Sequence, residues 1–158
     1  MEYPIPRHLQ PYFKVVGEEN DEFRVDGIID CLCGYEQFEV WENNDRQVIK
    51  LVCKHCGKEF LLFDSGKHGW DGFVCHSDYN DRSLPFEKNV CPKCEKDSFL
   101  IKVYISSQGK QDFIEECIYH DDSFSEEDWV DGFEWITIGI TCTACSYDEE
   151  DWVDLETM

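Results

Sequence analysis

Eight of the ten cysteines in this 158-residue chain fall into four close couples. The couples are Cys31-x-Cys33, Cys53-x-x-Cys56, Cys91-x-x-Cys94 and Cys142-x-x-Cys145. A Cys-x-x-Cys turn places two thiolates on the same side of a tight loop, and two such loops facing each other form the tetrahedral four-sulfur cage that Zn²⁺ prefers. The spacing therefore predicts two closed Cys₄ sites and two Zn²⁺ ions per chain.

The compartment decides whether these cysteines are ligands or disulfides. The first seven residues show no basic start followed by an apolar run, and no apolar stretch approaches the ~20 residues that a membrane span needs. We therefore expect a soluble, cytoplasmic protein that does not enter a membrane, in which the thiols stay reduced. A redox dithiol is disfavoured, because a thioredoxin-like motif is accompanied by a βαβ pattern that is not seen here.

The couples lie in a repeated context, in which apolar residues recur at the same distances from the cysteines. The matched positions are Phe38, Ile49 and Leu51 in the first unit and Phe99, Ile138 and Ile140 in the second. Alternation of apolar and polar residues before the later couples is typical of strands. Each unit is thus interpreted as a cysteine knuckle, a strand, a return strand and a second knuckle.

This pattern resembles the zinc ribbon family of small antiparallel β modules, over residues 28–64 and 89–156. The resemblance implies one zinc held by Cys31, Cys33, Cys53 and Cys56, and a second held by Cys91, Cys94, Cys142 and Cys145. The first couple has one intervening residue instead of the family's usual two. Gly34 and Gly57 follow the ligands of the first unit, where a positive φ helps the knuckle to close, whereas the second unit has Glu95 and Ser146 there.

The pairing of the couples is left open by the spacing alone. A crossed arrangement would join the first couple to the third and the second to the fourth. We favour the sequential arrangement, because each unit has its own return strand and the loop from Cys33 to Cys53 is short enough to close at little entropic cost.

The predicted domain organisation follows from these units. Residues 1–27 form an N-terminal arm and a first strand, 28–76 the first zinc ribbon with a trailing strand, and 77–88 a linker. Residues 89–158 form the second ribbon, which contains an acidic insertion at about 106–134 and an acidic C-terminus. The fold class is therefore mainly β, with two small antiparallel zinc ribbon modules packed together.

The insertion contains the only helix that the sequence predicts. Phe113–His120 is interpreted as a strand, and a short helix is expected over 124–130. Ser123 with Glu126, or Ser125 with Asp128, could form a capping box at the start of that helix.

The charge is strongly asymmetric along the chain. The net charge is −21, and the segment from Gln111 to Met158 has 16 Asp and Glu residues but no Lys or Arg. Such a field disfavours nucleic acid, because binding to phosphates needs clustered cations. Aromatic residues alternate with the acids, which favours a basic protein partner. The candidate partner-binding residues are Trp129, Asp131, Phe133, Trp135 and Trp152.

These features favour a noncatalytic protein of a regulatory or toxin-neutralising type. A zinc with four thiolates has no open position for substrate, and the sequence shows no His-Glu-x-x-His helix, nucleophile elbow or phosphate-binding loop. We therefore expect no enzymatic activity.

The alternative is a nucleic-acid-binding ribbon of the transcription or translation machinery. It would use residues at the knuckles, namely Lys50, Lys54, His55 and Lys58 in the first unit and Lys88, Lys93 and Lys96 in the second.

Two cysteines and three histidines remain unassigned, and a third metal site built from them is left open. They are Cys75, Cys117, His68, His76 and His120. Free cysteines are among the most buried residue types, so we expect Cys75 and Cys117 to be small core residues.

Overall fold

The computed structural model describes residues 2–43, 45–76, 80 and 83–158. Within these residues the chain forms nine strands, all of which join one antiparallel sheet. The strands are β1 (Phe13–Val15), β2 (Arg24–Ile29), β3 (Phe38–Asn43), β4 (Val48–Cys53), β5 (Glu59–Asp64), β6 (Glu87–Lys88), β7 (Phe99–Ser106), β8 (Trp135–Cys142) and β9 (Asp148–Glu156). The mainly β fold class with its two cysteine clusters is confirmed.

The sheet is built from two three-stranded units that lie side by side. β3, β4 and β5 form the first unit, and β7, β8 and β9 form the second. The units meet where Phe38 of β3 lies opposite Phe99 of β7 in antiparallel register. An antiparallel contact between equivalent residues is what a twofold axis generates, so an approximate internal twofold relates the two units.

The strands that precede the units obey the same symmetry, and each pairs with the other unit. Ile28 of β2 lies opposite Lys102 of β7, and Lys88 of β6 lies opposite Trp41 of β3. Ile28 and Lys88 each lie three positions before the first cysteine of their own unit. Their partners, Lys102 and Trp41, each lie three positions after the phenylalanine at the twofold contact. Each unit therefore completes the sheet of its neighbour.

The return strands form where the sequence alternates apolar and polar residues. In β7 every second residue, from Phe99 to Ile105, is buried, and the residues between them face outward or are half-buried. The buried residues of β7 belong to the main core, which also includes Phe38, Leu51 and Phe133. The same alternation that predicted the strands thus determines which face is covered.

The helical structure differs from the prediction in one place. Residues Lys110–Tyr119 form an α-helix, α1, so the predicted strand over Phe113–His120 is wrong. The segment folds as a helix because Phe113 and Cys117, four positions apart, lie on one face and become buried together. The predicted short helix exists as a 3-10 helix over Glu126–Val130, which begins at a capping box between Ser125 and Asp128.

A second, smaller core lies between the insertion and the segment after β5. It consists of Trp70, Val74, Phe113, Cys117, Trp129 and Val130. Trp70–Val74 forms a π-helical turn, and the Trp70 ring meets the Phe113 ring edge to face at 5.8 Å. This cluster holds the acidic insertion against the body of the protein.

The N-terminal arm packs on the sheet before it forms β1. Leu9 is fully buried in the main core, and the Tyr12 ring stacks on the Phe60 ring at 3.8 Å. The backbone N–H of Arg7 donates to Asp131 Oδ1 at 2.9 Å, and its guanidinium pairs with Asp131 and Asp128. The arm therefore bridges β5 and the insertion.

The domain boundaries stay a prediction. Residues 77–79, 81 and 82 of the predicted linker lie outside the described residues. In the part of the chain that the structure covers, no helix combines the length and the apolar character that crossing a membrane requires.

Candidate metal centres

The eight coupled cysteines form two separate four-sulfur clusters. The first contains Cys31, Cys33, Cys53 and Cys56, and the second contains Cys91, Cys94, Cys142 and Cys145. In each cluster all four sulfur atoms lie within 4.8 Å of one another. This grouping is the sequential arrangement, and the crossed arrangement is wrong.

The sulfur spacing matches a zinc tetrahedron and excludes disulfides. The distances between sulfur atoms are 3.4 Å for Cys31 and Cys56 and 3.7 Å for Cys33 and Cys53, and both contacts in the second cluster measure 3.5 Å. Zn–S bonds of about 2.3 Å place the sulfurs of a tetrahedron about 3.8 Å apart, whereas a disulfide bond is about 2.05 Å long. All ten cysteines are free thiols. The donor set and its geometry therefore fit a closed zinc site.

The backbone closes each knuckle with two hydrogen bonds. In the Cys53 knuckle the N–H of Cys53 donates to Lys58 O at 2.9 Å, and the N–H of Gly57 donates back to Cys53 O at 3.0 Å. The knuckles at Cys91 and Cys142 repeat both bonds at the same sequence spacing. These bonds join main-chain atoms only, so they shape the loop that carries the paired thiols independently of the side chains.

The first knuckle makes the same two bonds in a loop that is one residue shorter. The N–H of Cys31 donates to Tyr35 O, and the N–H of Gly34 donates to Cys31 O, both at 2.8 Å. The Cys31-x-Cys33 spacing is therefore accommodated by tightening the turn, and the Cys33 sulfur still joins the cluster.

The residue after the second cysteine of each knuckle has a positive φ. The angles are 90° at Gly34, 77° at Gly57, 62° at Glu95 and 66° at Ser146. The turn thus requires the same conformation in both units, and the second unit adopts it without glycine. A non-glycine residue in this region costs on the order of 1 kcal/mol or more.

Backbone N–H groups lower the pKa of one thiol in each cluster. Burial acts to raise the pKa of Cys53, but the N–H groups of Cys56 and His55 donate toward its sulfur and lower the pKa to about 7. The pKa of Cys91 is lowered to about 7 by the same kind of contact, against the same effect of burial. Burial raises the pKa of Cys31 to about 12. Because metal ligands bind as thiolates, these N–H contacts favour the ligating form of Cys53 and Cys91.

One row of paired residues joins the two clusters, and β4 and β8, whose last residues are cysteine ligands, run in opposite directions. Cys53 lies opposite Phe38, Phe38 opposite Phe99, and Phe99 opposite Cys142. Three strand spacings separate the two cysteines, which corresponds to about 14 Å. The clusters are therefore distinct sites within one continuous structure.

An ion-pair network strengthens this junction. Asp97, next to the second cluster, accepts hydrogen bonds from Lys54 Nζ and Lys88 Nζ, each at 3.0 Å. These two lysines hold the pKa of Asp97 down to about 2. Lys54 belongs to a knuckle of the first unit, so the network connects the two units directly.

The knuckle lysines named in the nucleic-acid alternative are partly engaged within the chain. Lys50 pairs with Glu59 at 2.7 Å, and Lys54 contacts Glu39 as well as Asp97. The Lys93 ammonium lies 5.5 Å from the centre of the Tyr147 ring. Such pairing reduces the positive field that a phosphate backbone would meet.

The unassigned cysteines and histidines do not form a third cluster within the described residues. Cys117 is fully buried in the smaller core, as expected. Cys75 is exposed at the end of the π-helical turn, so the prediction that it is a core residue is wrong. The turn exposes Cys75 because Trp70 and Val74 fill the interior positions. The His8 and His68 rings stack at 3.7 Å, and His120 lies near Glu116.

Four of the five candidate partner-binding residues are buried. Trp129 belongs to the smaller core, and Phe133 and Trp152 belong to the main core. Asp131 is buried against Arg7 of the N-terminal arm. Their aromatic and acidic pattern therefore reflects internal packing to a large degree, and their contact with a partner stays a prediction.

Trp135 is the exposed member of the set, with 36% of its surface accessible. It begins β8, and its indole N–H donates to Asp154 Oδ1 at 2.6 Å. The sequence signal for these residues was the alternation of aromatic and acidic side chains, which does not distinguish a buried tryptophan from an exposed one.

A scan of family models finds no match to this chain, and comparisons with curated proteins and with solved structures find none either. The class is therefore defined by the geometry itself. The chain is a mainly β protein whose two Cys₄ clusters fit tandem zinc-binding units.

Proposed function

We propose that the chain is a noncatalytic zinc-binding protein, in which two Zn²⁺ ions are structural and the acidic C-terminal part binds a basic protein partner. The first tetrad would hold one ion and the second tetrad the other. The observation that carries this proposal is the pair of sulfur tetrads, whose spacing and donor chemistry match closed zinc sites.

A structural role is supported by the position of the ions in the fold. Each tetrad links two parts of a unit. Two of its cysteines come from the knuckle before the first strand, and two come from the knuckle between the second and third strands. A metal with four thiolate ligands keeps no position for water or substrate. Its binding free energy then contributes to folding.

A basic protein partner is supported by the charge. The last 48 residues carry a net charge of −16, and residues 1–110 carry −5. Two Zn²⁺ ions with four thiolates each would add further negative charge, because four sulfur charges exceed the charge of the metal. Such a field speeds association with a cationic surface and repels phosphates. A reducing, cytoplasmic location is part of the proposal, in keeping with ten free thiols.

Two measurements test the proposal. Elemental analysis of the purified chain is expected to give about two zinc per polypeptide, and a chain without bound metal would contradict the zinc assignment. Capture of partners on the immobilised chain is expected to recover basic proteins, with a yield that survives nuclease treatment and falls as salt rises. Capture that nuclease abolishes, and that replacement of Lys58 and Lys96 also removes, would favour the nucleic-acid alternative.

A further inference from the structure

The outer face of the sheet carries an exposed tryptophan among carboxylates, where β8 begins and β9 ends. Trp135 lies opposite Glu156, and Thr137 lies opposite Asp154. All four side chains project from the same face, because residues two apart on paired strands share a side. This group is called the Trp135 face below.

Hydrogen bonds hold the indole of the Trp135 face in a fixed position. Asp154 Oδ1 accepts both the indole N–H of Trp135, at 2.6 Å, and the hydroxyl of Thr137, at 2.9 Å. The polar edge of the indole is thus satisfied, and 36% of the surface of Trp135 stays accessible. No described residue donates a hydrogen bond to the second oxygen of Asp154. The face therefore presents an aromatic plane next to a carboxylate oxygen that can accept a hydrogen bond.

Elsewhere the chain covers aromatic rings with its own cations. The Arg46 guanidinium lies 4.6 Å from the centre of the Trp152 ring, while its Nη1 donates to Trp152 O at 2.9 Å. Trp41 lies under Lys50 and Lys88, at 5.8 and 5.9 Å. Within the described chain no cation lies over the Trp135 ring. Trp135 thus has the surroundings of a cation–π site but no cation from its own chain.

The charges near this face fit a cation from outside. Asp154 and Glu156 are exposed beside the ring, and Glu134 precedes it. Arg24, the nearest cation in the strand register, lies two strands away in the same row, since it pairs with Ser106 and Ser106 pairs with Trp135. At about 4.8 Å per strand spacing that is about 10 Å away, just beyond the Debye length of about 8 Å at physiological salt. The Arg24 guanidinium is engaged by Glu19.

We propose that the Trp135 face is the docking point for an arginine side chain of the basic protein partner. The guanidinium would stack on the indole plane and donate to Asp154 Oδ2 and to Glu156. Arginine fits better than lysine, because its planar guanidinium stacks and donates at the same time, as Arg46 does on Trp152. This inference rests on the proposed function and adds the contact surface and the residue type to it.

The test uses the full chain loaded with zinc and a fluorescently labelled nine-arginine peptide, with affinity measured by anisotropy at physiological salt. Trp135→Ala is expected to weaken binding about three- to fivefold, as loss of one exposed cation–π contact does. Asp154→Asn with Glu156→Gln is expected to weaken it at least as much. In an NMR spectrum the indole N–H signal of Trp135 should shift on titration with the peptide.

The matched control removes two charges far from the Trp135 face. Glu36→Gln with Glu95→Gln, just before β3 and β7, changes the net charge by the same amount and is expected to change affinity less than twofold. Circular dichroism and zinc content should be unchanged in every variant, since all the replaced residues are exposed or partly exposed.

The outcomes separate the inference from the proposed function. Equal weakening by the two double variants, with no effect of Trp135→Ala, would show that binding follows net charge alone and would overturn the inference while the basic partner survives. Absence of any binding by the parent chain would contradict the basic partner itself. Self-association of the chain that Trp135→Ala abolishes would instead assign the face to a second copy and overturn the inference.

Discussion

Replacing one exposed ligand in each tetrad measures what the metal contributes to folding. Cys56 and Cys145 occupy equivalent positions in the two units, and both are exposed. Their sulfur atoms contact Cys31 and Cys91 at 3.4 and 3.5 Å. Because exposed side chains outside special sites contribute little, replacement by serine alone should cost within about 0.5 kcal/mol. Any larger effect reports the loss of metal.

The expected magnitude follows from the scale of structural zinc sites. Such a site contributes about 10–16 kcal/mol in small peptides, which is comparable to the whole stability of a typical domain. If half of this free energy appears as stability of the folded chain, loss of the ion costs about 5–8 kcal/mol. At about 2–4 °C per kcal/mol for a chain of this size, the unfolding midpoint should fall by at least about 10 °C.

The assay combines elemental analysis with thermal unfolding followed by circular dichroism. Cys56→Ser and Cys145→Ser should each bind about one zinc instead of two and should melt earlier by similar amounts. In excess chelator both variants should match the parent chain within about 0.5 kcal/mol. Cys117→Ser is the control, because Cys117 is buried outside both tetrads and its replacement should leave the zinc content unchanged.

Two results would refute this reasoning. If Cys56→Ser kept two zinc ions and the midpoint of the parent chain, the first tetrad would not be a metal site. If chelation removed both ions without lowering the midpoint, the large apolar core would suffice and the metal would have no structural role.

Three further predictions follow from other contacts. Glu95→Gly should stabilise the zinc-loaded chain by about 0.5–1 kcal/mol in chemical denaturation, because φ is 62° there, and lower stability would contradict the argument from strain. Asp97→Asn should destabilise the chain by about 1 kcal/mol after screening by solvent, an effect present above about pH 4 and lost as the pH falls toward 2. The difference in unfolding free energy between Asp97→Asn and the parent chain should therefore stay constant from pH 5 to 8. A marked change over that range would contradict this prediction. Gly72→Ala should cost about 1–3 kcal/mol, since a Cβ there would lie 2.6 Å from the backbone oxygen of Ser65, and unchanged denaturation would show that the turn relaxes freely.

The cysteine spacing was sufficient to predict the tetrads and the strands that carry them, because both depend on residues close in sequence. The repeat at Phe38 and Phe99 was visible as spacing, and the structure shows that these two residues lie opposite each other at the twofold contact. The exchange of β2 and β6 between units was not predicted. It depends on pairing between residues far apart in the chain, which local alternation does not encode.

The error at α1 has a similar cause. Phe113-Ile114 and Cys117-Ile118 resemble a strand in composition, but burial of Phe113 and Cys117 against Trp70 and Trp129 outweighs that local preference. The burial of most candidate partner-binding residues was missed for the same reason. An aromatic residue next to an acid can be an internal anchor or a docking point, and only the tertiary structure separates the two.

Because β2 and β6 each pair with the other unit, the sheet is completed late in synthesis of the chain. Lys102 lies 74 positions after Ile28, its partner across the sheet, so β2 has no β7 to pair with until most of the polypeptide has left the ribosome. The second tetrad is incomplete until Cys145 has been synthesised. The first half of the nascent chain therefore carries a complete set of ligands for one ion, but its sheet is incomplete. Early binding of the metal would keep this half ordered until β7 is synthesised and pairs with β2.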